Sequence, residues 1–173
     1  MKNMRIIDAD FRPINFQIEN NEFGLNENFI SELRQSLLQI AFPTPETRIQ
    51  FELSRQIIQK FEMDIEYFNS EHENILCDER LNYKYDGSFL LEQNRIGVEI
   101  QFRPDFLKDV TRFQMGFYRE RIKAIIYIVA IDRSTINQRY TTMPQFNTVI
   151  QHLNLFNWFE VPVLVVGINC NNN

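Results

Sequence analysis

The chain has 173 residues, of which 44% are hydrophobic and 13% aromatic, so it is long enough to bury a substantial core and short for two domains. Its formal net charge of −5 argues against a protein that coats nucleic acid irrespective of sequence. We therefore expect a single globular domain over residues 1–173, with ordered elements rather than low-complexity linkers.

The N-terminal part of the chain is predicted to contain one strand and two helices. The segment INFQIE alternates apolar and polar residues, which predicts a half-buried strand over residues 14–19. Apolar residues recur at helical spacing in NENFISELRQSLLQIAF, which Pro43 and Pro45 follow, and again from about Glu46 to Phe68. Two helices are therefore expected before the polar motif described next.

A hairpin is predicted in the middle of the chain. In YKYDGSFLL one face carries polar side chains, those of Lys84, Asp86 and Ser88. The residues EQN make a turn, and RIGVEIQF then directs Glu99 and Gln101 to the face opposite its apolar residues. Antiparallel pairing of these segments would bring the carboxylates of Asp86 and Glu99 within reach of one point.

The C-terminal half alternates helices with apolar strands. A helix is predicted from about Pro104 to Glu120, and another from roughly Gln145 to Phe156. The continuous apolar runs KAIIYIVAI and VPVLVVGI are typical of strands that are covered on both faces. A polar loop, DRSTINQRYTTMP, precedes the second of these helices. This order predicts an α/β fold.

The same sequence features limit the location and partners of the protein. The longest apolar runs have the length of strands, the N-terminus has no signal-peptide pattern, and no membrane partner is expected. Cys77 and Cys170 have no metal-ligand spacing, so we expect free thiols in a reducing cytoplasm. Charge is uneven, with nine basic and five acidic residues between Arg95 and Arg139. A solvated face would account for this bias, and so would a nucleic-acid surface.

The pair of carboxylates on the hairpin requires a compensating group. Two neighbouring carboxylates repel each other and are costly to desolvate unless a cation, a proton or a basic partner lies between them. Mg²⁺ suits this position because it prefers oxygen ligands and binds through one or two carboxylates plus phosphate oxygens. An exposed position on an edge strand is the alternative for Glu99.

The segments YDG, at residues 85–87, and EIQ, at residues 99–101, resemble the active-site motif of the PD-(D/E)XK nuclease superfamily. That motif usually ends in Lys, where this chain has Gln101. A Gln in this place, followed by FLKDVTRFQMGFYRERIKAIIYIVA, a polar loop and VPVLVVGI, is similar to the restriction endonucleases related to BglII and BstYI. The resemblance covers about Lys84 to Ile168.

The resemblance implies a central mixed sheet of five or six strands flanked by helices, and a homodimer that cleaves double-stranded DNA with Mg²⁺. It implies that Asp86 and Glu99 ligate the metal with the carbonyl of Ile100, and that Gln101 orients the attacking water. Because Gln can neither take up a proton nor contribute charge, more of the activation would fall to the metal. Glu52, on the second predicted helix, is a further candidate ligand, with a solvated helix position as the alternative.

Several polar residues are candidates for DNA contacts. Lys84, Arg103, Lys108 and Arg112 lie beside the motif, where they would bind phosphates without reading sequence. The polar loop offers donors and acceptors suited to base edges in the major groove, namely Asn137, Gln138, Arg139, Thr141 and Thr142. The alternatives are an ordinary helix face and a solvent-exposed loop.

The interpretation that results is a bacterial or archaeal type II restriction endonuclease, with a cognate DNA methyltransferase encoded elsewhere. The apolar surface of the two N-terminal helices, and the need to cut both strands of a palindrome, favour a two-fold dimer. Three alternatives remain open: a repair or junction-resolving nuclease of the same fold, a DNA-binding protein with a decayed site, and an intracellular scaffold. Salt-sensitive binding without cleavage would indicate the decayed site.

Overall fold

The computed structural model describes residues 3–44, 48–71, 76–78, 83–132, 136 and 143–172. Within them the strands are β1 Asn3–Ile14, β2 Ala41–Pro43, β3 Phe68–Asn69, β4 Leu76–Asp78, β5 Tyr83–Lys84, β6 Gly87–Leu91, β7 Asn94–Ile100, β8 Ala124–Ala130 and β9 Val163–Asn172. The α-helices in this part of the chain are α1 Glu27–Leu38, α2 Ile49–Asp64, α3 Phe106–Tyr118 and α4 Phe146–Leu155. None of these helices is both long and apolar enough to cross a bilayer.

Seven of the strands form one mixed sheet in the order β2-β1-β9-β8-β7-β6-β3, and β4 pairs with β5 in a separate ribbon. The pairs β7–β8 and β8–β9 are parallel, as expected for strands joined by the crossover helices α3 and α4. The remaining pairs of the large sheet are antiparallel. The predicted α/β class with a mixed sheet is confirmed, with seven strands in place of the five or six expected.

The additional strands come from the N-terminal part, where the prediction of a strand over residues 14–19 is wrong. The strand β1 instead precedes this segment and pairs along its length with β9. A register shift between Ile6 and Asp8 interrupts its alternation, which hides the period of two in the sequence. Asn15 has a φ of 62° and ends the strand, and its side chain donates hydrogen bonds to the carbonyls of Phe159 and Val161.

The predicted helices are present with different ends. The helix α1 ends at Leu38, before the expected prolines, because residues 41–43 pair with β1 as an edge strand. The helix α2 ends at Asp64, and the following residue Ile65 has extended backbone angles. The helices α3 and α4 lie within the ranges that apolar spacing predicted.

The core lies on both faces of the sheet. Residues of β8 alternate between two apolar clusters, so that Ile126 and Ile128 face the cluster that includes α1 and α2, whereas Ile125 and Tyr127 face the one that includes α3 and α4. All residues of β8 are buried, which is why its sequence reads as a continuous apolar run.

The β6–β7 hairpin positions the predicted motif. Its two-residue turn has positive φ at Glu92 and Gln93, the backbone twist that suits a tight hairpin. Gly87 pairs with Val98 at the start of β6, and the N–H of the preceding residue, Asp86, donates to the carbonyl of the same Val98, next to Glu99. The two carboxylates are close enough for the charge of Asp86 to raise the pKa of Glu99, so their predicted meeting is present.

Candidate active site

Asp86 and Glu99 form the centre of a buried polar cluster between the hairpin and α3. The backbone N–H of Asp86 donates to the carbonyl of Val98 at 2.9 Å, and Oδ2 of Asp86 accepts from the N–H of Ile100 at 2.7 Å. The Glu99 residue is only 5% exposed, which excludes the alternative of a solvent-exposed edge position. Both of these hydrogen bonds join Asp86 to β7, so this strand fixes the position of Asp86 relative to Glu99.

Burial shifts the protonation equilibria of both acids. Desolvation raises the pKa of Glu99 well above its ordinary value, and the nearby Asp86 carboxylate raises it further, against the effect of Arg112. Desolvation also raises the pKa of Asp86, although the bond from Ile100 opposes this shift. A site that disfavours its own negative charges in this way is suited to binding a cation.

Arg112 lies inside the cluster. One terminal nitrogen, Nη2, contacts both Glu99 Oε1 and Asp109 Oδ1, while Nη1 donates to the carbonyl of Lys84 at 3.0 Å. Burial alone lowers the pKa of the guanidinium, but the charges of Glu99 and Asp109 outweigh it and raise the pKa. The phosphate contact predicted for Arg112 stays a prediction, and in the structure its guanidinium is bound by Glu99, Asp109 and the carbonyl of Lys84.

Gln101 is held by partners on both sides of its amide. Its Nε2 donates to Asp109 Oδ2 at 2.8 Å, and its Oε1 accepts from the N–H of Arg103 at 3.0 Å. The hydroxyl of Tyr127 on β8 donates to the same oxygen of Asp109 at 2.8 Å. Burial raises the pKa of Tyr127 well above its ordinary value, and Asp109 raises it further, so the hydroxyl stays a donor.

Two buried atoms of the cluster have no hydrogen-bond partner: Glu99 Oε2 and Arg112 Nε. An unpaired buried oxygen on an acid costs free energy unless another group binds it. Carboxylate and carbonyl oxygens are what a hard divalent cation prefers, so the donor set around Glu99 fits such an ion. Over the described part of the chain, no three acidic, His or Cys side chains converge in a ready-made metal cage.

The other residues predicted to contact DNA or metal differ in their exposure and contacts. Arg103 and Lys108 are exposed near the motif, and Lys84 is half-buried on β5. The Glu52 carboxylate contacts Arg55 at 2.6 Å and Gln56 at 2.8 Å within its own helix. The loop candidates lie outside the described residues, namely Asn137, Gln138, Arg139, Thr141 and Thr142.

Asp109 and Tyr127 belong to the cluster but were not predicted from the sequence. Asp109 is fully buried and lies next to Val110 on the apolar face of α3. An acidic residue on an apolar helix face could have indicated a buried polar site. Tyr127 is the one residue with a polar tip in the run AIIYIVA. A buried tyrosine hydroxyl normally has a partner, which here is Asp109.

An aromatic ring near the cluster was also missed. Phe51, in the first turn of α2, is 48% exposed and lies near two arginines. The Arg103 guanidinium is 5.4 Å from the ring centroid and that of Arg48 is 5.8 Å from it. Arg103 also lies close enough to Asp86 to lower its pKa, against the larger effect of burial. The three residues, which we call the arginine platform, connect the start of α2 to the segment after β7.

Comparison with known proteins assigns the chain to a family. The family model described as restriction endonuclease BglII/BglIII matches residues 9–168, well beyond the segment in which the sequence motif was found. No curated protein sequence matches closely enough to indicate a relationship.

Solved structures of BglII share the fold. The crystal structure of restriction endonuclease BglII complexed with a DNA 16-mer has a TM-score of 0.66 and 17% identity, over 94% of this chain and 78% of that chain. The crystal structure of free BglII has a TM-score of 0.57 and 16% identity, over 94% and 79% respectively. Because the family model spans most of the sequence, the chain belongs to the BglII/BglIII family of restriction endonucleases and is a type II site-specific deoxyribonuclease.

Proposed function

We propose that this restriction endonuclease binds Mg²⁺ through Asp86, Glu99 and the carbonyl of Ile100, and that it hydrolyses both strands of duplex DNA there. Enzymes of the family generally use divalent metal ions. The observation that carries the proposal is the buried pair of acids with one oxygen, Glu99 Oε2, left without a partner. The oxygen-only donor set favours Mg²⁺ over metals that prefer nitrogen or sulfur.

The geometry of β7 supports the carbonyl of Ile100 as the third ligand. The N–H of Ile100 points at Asp86, and the N–H and C=O of one strand residue face the same neighbour. The carbonyl is therefore directed to the side where Asp86 lies. Glu52 is left out of the proposed set because Arg55 and Gln56 already bind its carboxylate.

The chain's own groups would position the reacting molecules. When bound, Mg²⁺ supplies a nucleophile at neutral pH and stabilises charge on the phosphate. Gln101 retains one amide hydrogen and one lone pair beyond its bonds to Asp109 and Arg103, and we assign these to the attacking water. The amide cannot take up the proton of that water, so Gln101 orients the nucleophile without acting as a base.

Exposed cations near the motif support duplex binding. The related BglII structure contains a DNA 16-mer, and we propose that double-stranded DNA is also the substrate here. Arg103 and Lys108 would contact phosphates. Arg48, which lies against the same Phe51 ring as Arg103, would add a third cation. Lys84 is half-buried and would have a smaller share in binding. Base readout by residues 137–142 stays a prediction.

Cleavage of both strands leads to a proposal for the assembly. Each chain contributes its own site, so two chains related by a two-fold axis would present one site to each strand of a palindrome. Survival of the host would require a cognate methyltransferase that protects the same sequence, in the cytoplasm where both enzymes meet DNA. Family membership argues against a junction-resolving enzyme, and the decayed-site alternative is decided by the experiment below.

The test is digestion of unmethylated phage DNA with Mg²⁺, with parallel samples in EDTA and with the Glu99→Ala variant. Discrete bands that disappear in EDTA and with Glu99→Ala are expected, while exposed Glu19→Ala, the matched control, should cut like the wild type. Uncut DNA that the protein still binds, in a complex disrupted by salt, would contradict the proposal and indicate a decayed site.

A further inference from the structure

Asp109 takes no part in the reaction proposed above, yet it is the most buried acid of the cluster. Its side chain is fully buried and accepts from three donors: Arg112 at Oδ1, and Gln101 and Tyr127 at Oδ2. A buried charge is costly unless such partners compensate it. These donors lie on α3, on β8 and at the end of β7, so Asp109 connects three elements at the site.

Through Arg112, Asp109 acts on Glu99. One nitrogen of the guanidinium contacts both acids and holds Glu99 by Oε1, while Glu99 Oε2 has no hydrogen-bond partner. The three acids and the arginine carry a formal charge of −2, which one divalent cation would neutralise. Without the Asp109 charge the formal value is −1, and Arg112 would be free to pair with Glu99 alone.

Through Gln101, Asp109 fixes the orientation of an amide. The N–H of Arg103 requires an acceptor at Oε1, and the Asp109 carboxylate requires a donor at Nε2. Both conditions are met by only one of the two flip states of the amide. The direction of the remaining N–H and lone pair is therefore set by Asp109 and Arg103 together.

We propose that Asp109 is a positioning residue of the nuclease site, which presents Glu99 to the metal through Arg112 and orients the Gln101 amide directly. This inference rests on the ligand set assigned under the proposed function. Residues that orient the ligands of a metal commonly contribute ten- to a hundredfold to metal affinity or activity. Asp109 is expected to lie in that range.

The experiment compares Asp109→Asn with Asp105→Asn, which makes the same change of charge on the residue before α3, outside the cluster. In the Asp109→Asn variant the side-chain NH₂ group would face one of the three donors, so at least one hydrogen bond of the network would be lost. Asp109→Asn is expected to weaken Mg²⁺ binding, measured by calorimetry without DNA, and to lower kcat, each by about tenfold or more. The KM for duplex DNA should stay within about twofold of that of Asp105→Asn, because no DNA contact is removed.

A second variant covers the case in which Asp109→Asn does not fold. Tyr127→Phe keeps the buried ring and removes one donor to Asp109, so Mg²⁺ affinity and kcat should each fall about fivefold, the equivalent of one hydrogen bond. The inference is overturned if Mg²⁺ affinity per folded molecule is the same in the network variants and in Asp105→Asn. If the wild type itself neither binds Mg²⁺ nor cuts, it is the proposed function that fails.

Discussion

At the scale of single residues, Glu99 is an acid placed where its charge is disfavoured. Desolvation and the neighbouring Asp86 both raise its pKa, and Arg112 compensates only in part because it is shared with Asp109. The folded protein therefore gives up stability to keep this carboxylate in place. Such a cost is expected at a functional site, and binding of the divalent cation proposed for this site would recover it.

The first prediction concerns Glu99→Gln in the absence of divalent metal. The folded-state pKa of Glu99 lies above its unfolded value, so its contribution to stability is present at low pH and is lost as the pH rises through the folded pKa. Glutamine does not titrate and can still accept from Arg112. In EDTA near pH 8 the variant should melt at a higher temperature than the wild type, with a difference that shrinks toward pH 5.

Thermal melts over this pH range, followed by circular dichroism, test the prediction. Added Mg²⁺ should raise the melting temperature of the wild type and leave that of Glu99→Gln nearly unchanged. A variant that is less stable than the wild type at pH 8 in EDTA would contradict the prediction.

At the scale of elements, α3 packs closely against the segment that leads into the hairpin, and this packing buries the site. An added Cβ at Gly116 would lie 2.0 Å from the hydroxyl oxygen of Tyr85, the residue before Asp86. That hydroxyl also donates to the carbonyl of Arg112 at 3.1 Å. The lack of a side chain at Gly116 therefore allows the helix to approach the segment between β5 and β6 that carries Asp86.

The second prediction is that Gly116→Ala destabilises the protein despite its position in a helix. Replacing a helical Gly by Ala gains about 1 kcal/mol in propensity, but overpacking against a buried hydroxyl costs about 1–3 kcal/mol, and we expect a net loss of about 1 kcal/mol. Urea unfolding measures the change. Tyr85→Phe removes the atom that clashes, so adding it should restore part of the loss. Equal stability of Gly116→Ala and the wild type would contradict the prediction, because it would show that α3 can move to accommodate the added methyl group.

The third prediction concerns the arginine platform. Arg103 lies beside both Phe51 and Asp86, so its proposed role is contact with the phosphate backbone near the cleavage site. Arg103→Ala should weaken binding of cognate and unrelated duplexes by similar factors, and should reduce the slope of log K against log salt by about 1. Exposed Arg5→Ala, on β1 toward the other edge of the sheet, is the matched control. Loss of affinity for the cognate duplex alone would contradict a phosphate role.

Predictability from sequence differed between these elements for physical reasons. The hairpin and β8 could be predicted because their pattern of burial follows directly from strand geometry. The strand β1 could not, because its register shift breaks the alternation and Asn15 ends it in a left-handed conformation. Asp86 and Glu99 could be placed together because their segments form one hairpin, whereas the contacts of Asp109 and Tyr127 depend on how α3 packs across the sheet.

At the scale of the whole molecule, one of the two arguments for a dimer is lost. The apolar surface of the N-terminal helices was one reason to expect it, but Leu33 and Leu37 of α1 and Leu53 and Ile57 of α2 are all completely buried in the chain's own core. The remaining reason is functional. A duplex palindrome has two scissile bonds related by a two-fold axis, and each chain of the proposed dimer would contribute its own copy of the Asp86–Glu99 site.

The last prediction tests this symmetry directly. Light scattering should give a mass of about twice 20.8 kDa, and a supercoiled plasmid with one target site should be converted to the linear form. A purified heterodimer of one wild-type and one Glu99→Ala chain would keep one working site and should nick the plasmid without linearising it. The homodimer of Glu99→Ala, as the control, should do neither. Efficient linearisation by the heterodimer would mean that one site cuts both strands in turn, and the proposed two-site arrangement would then be wrong.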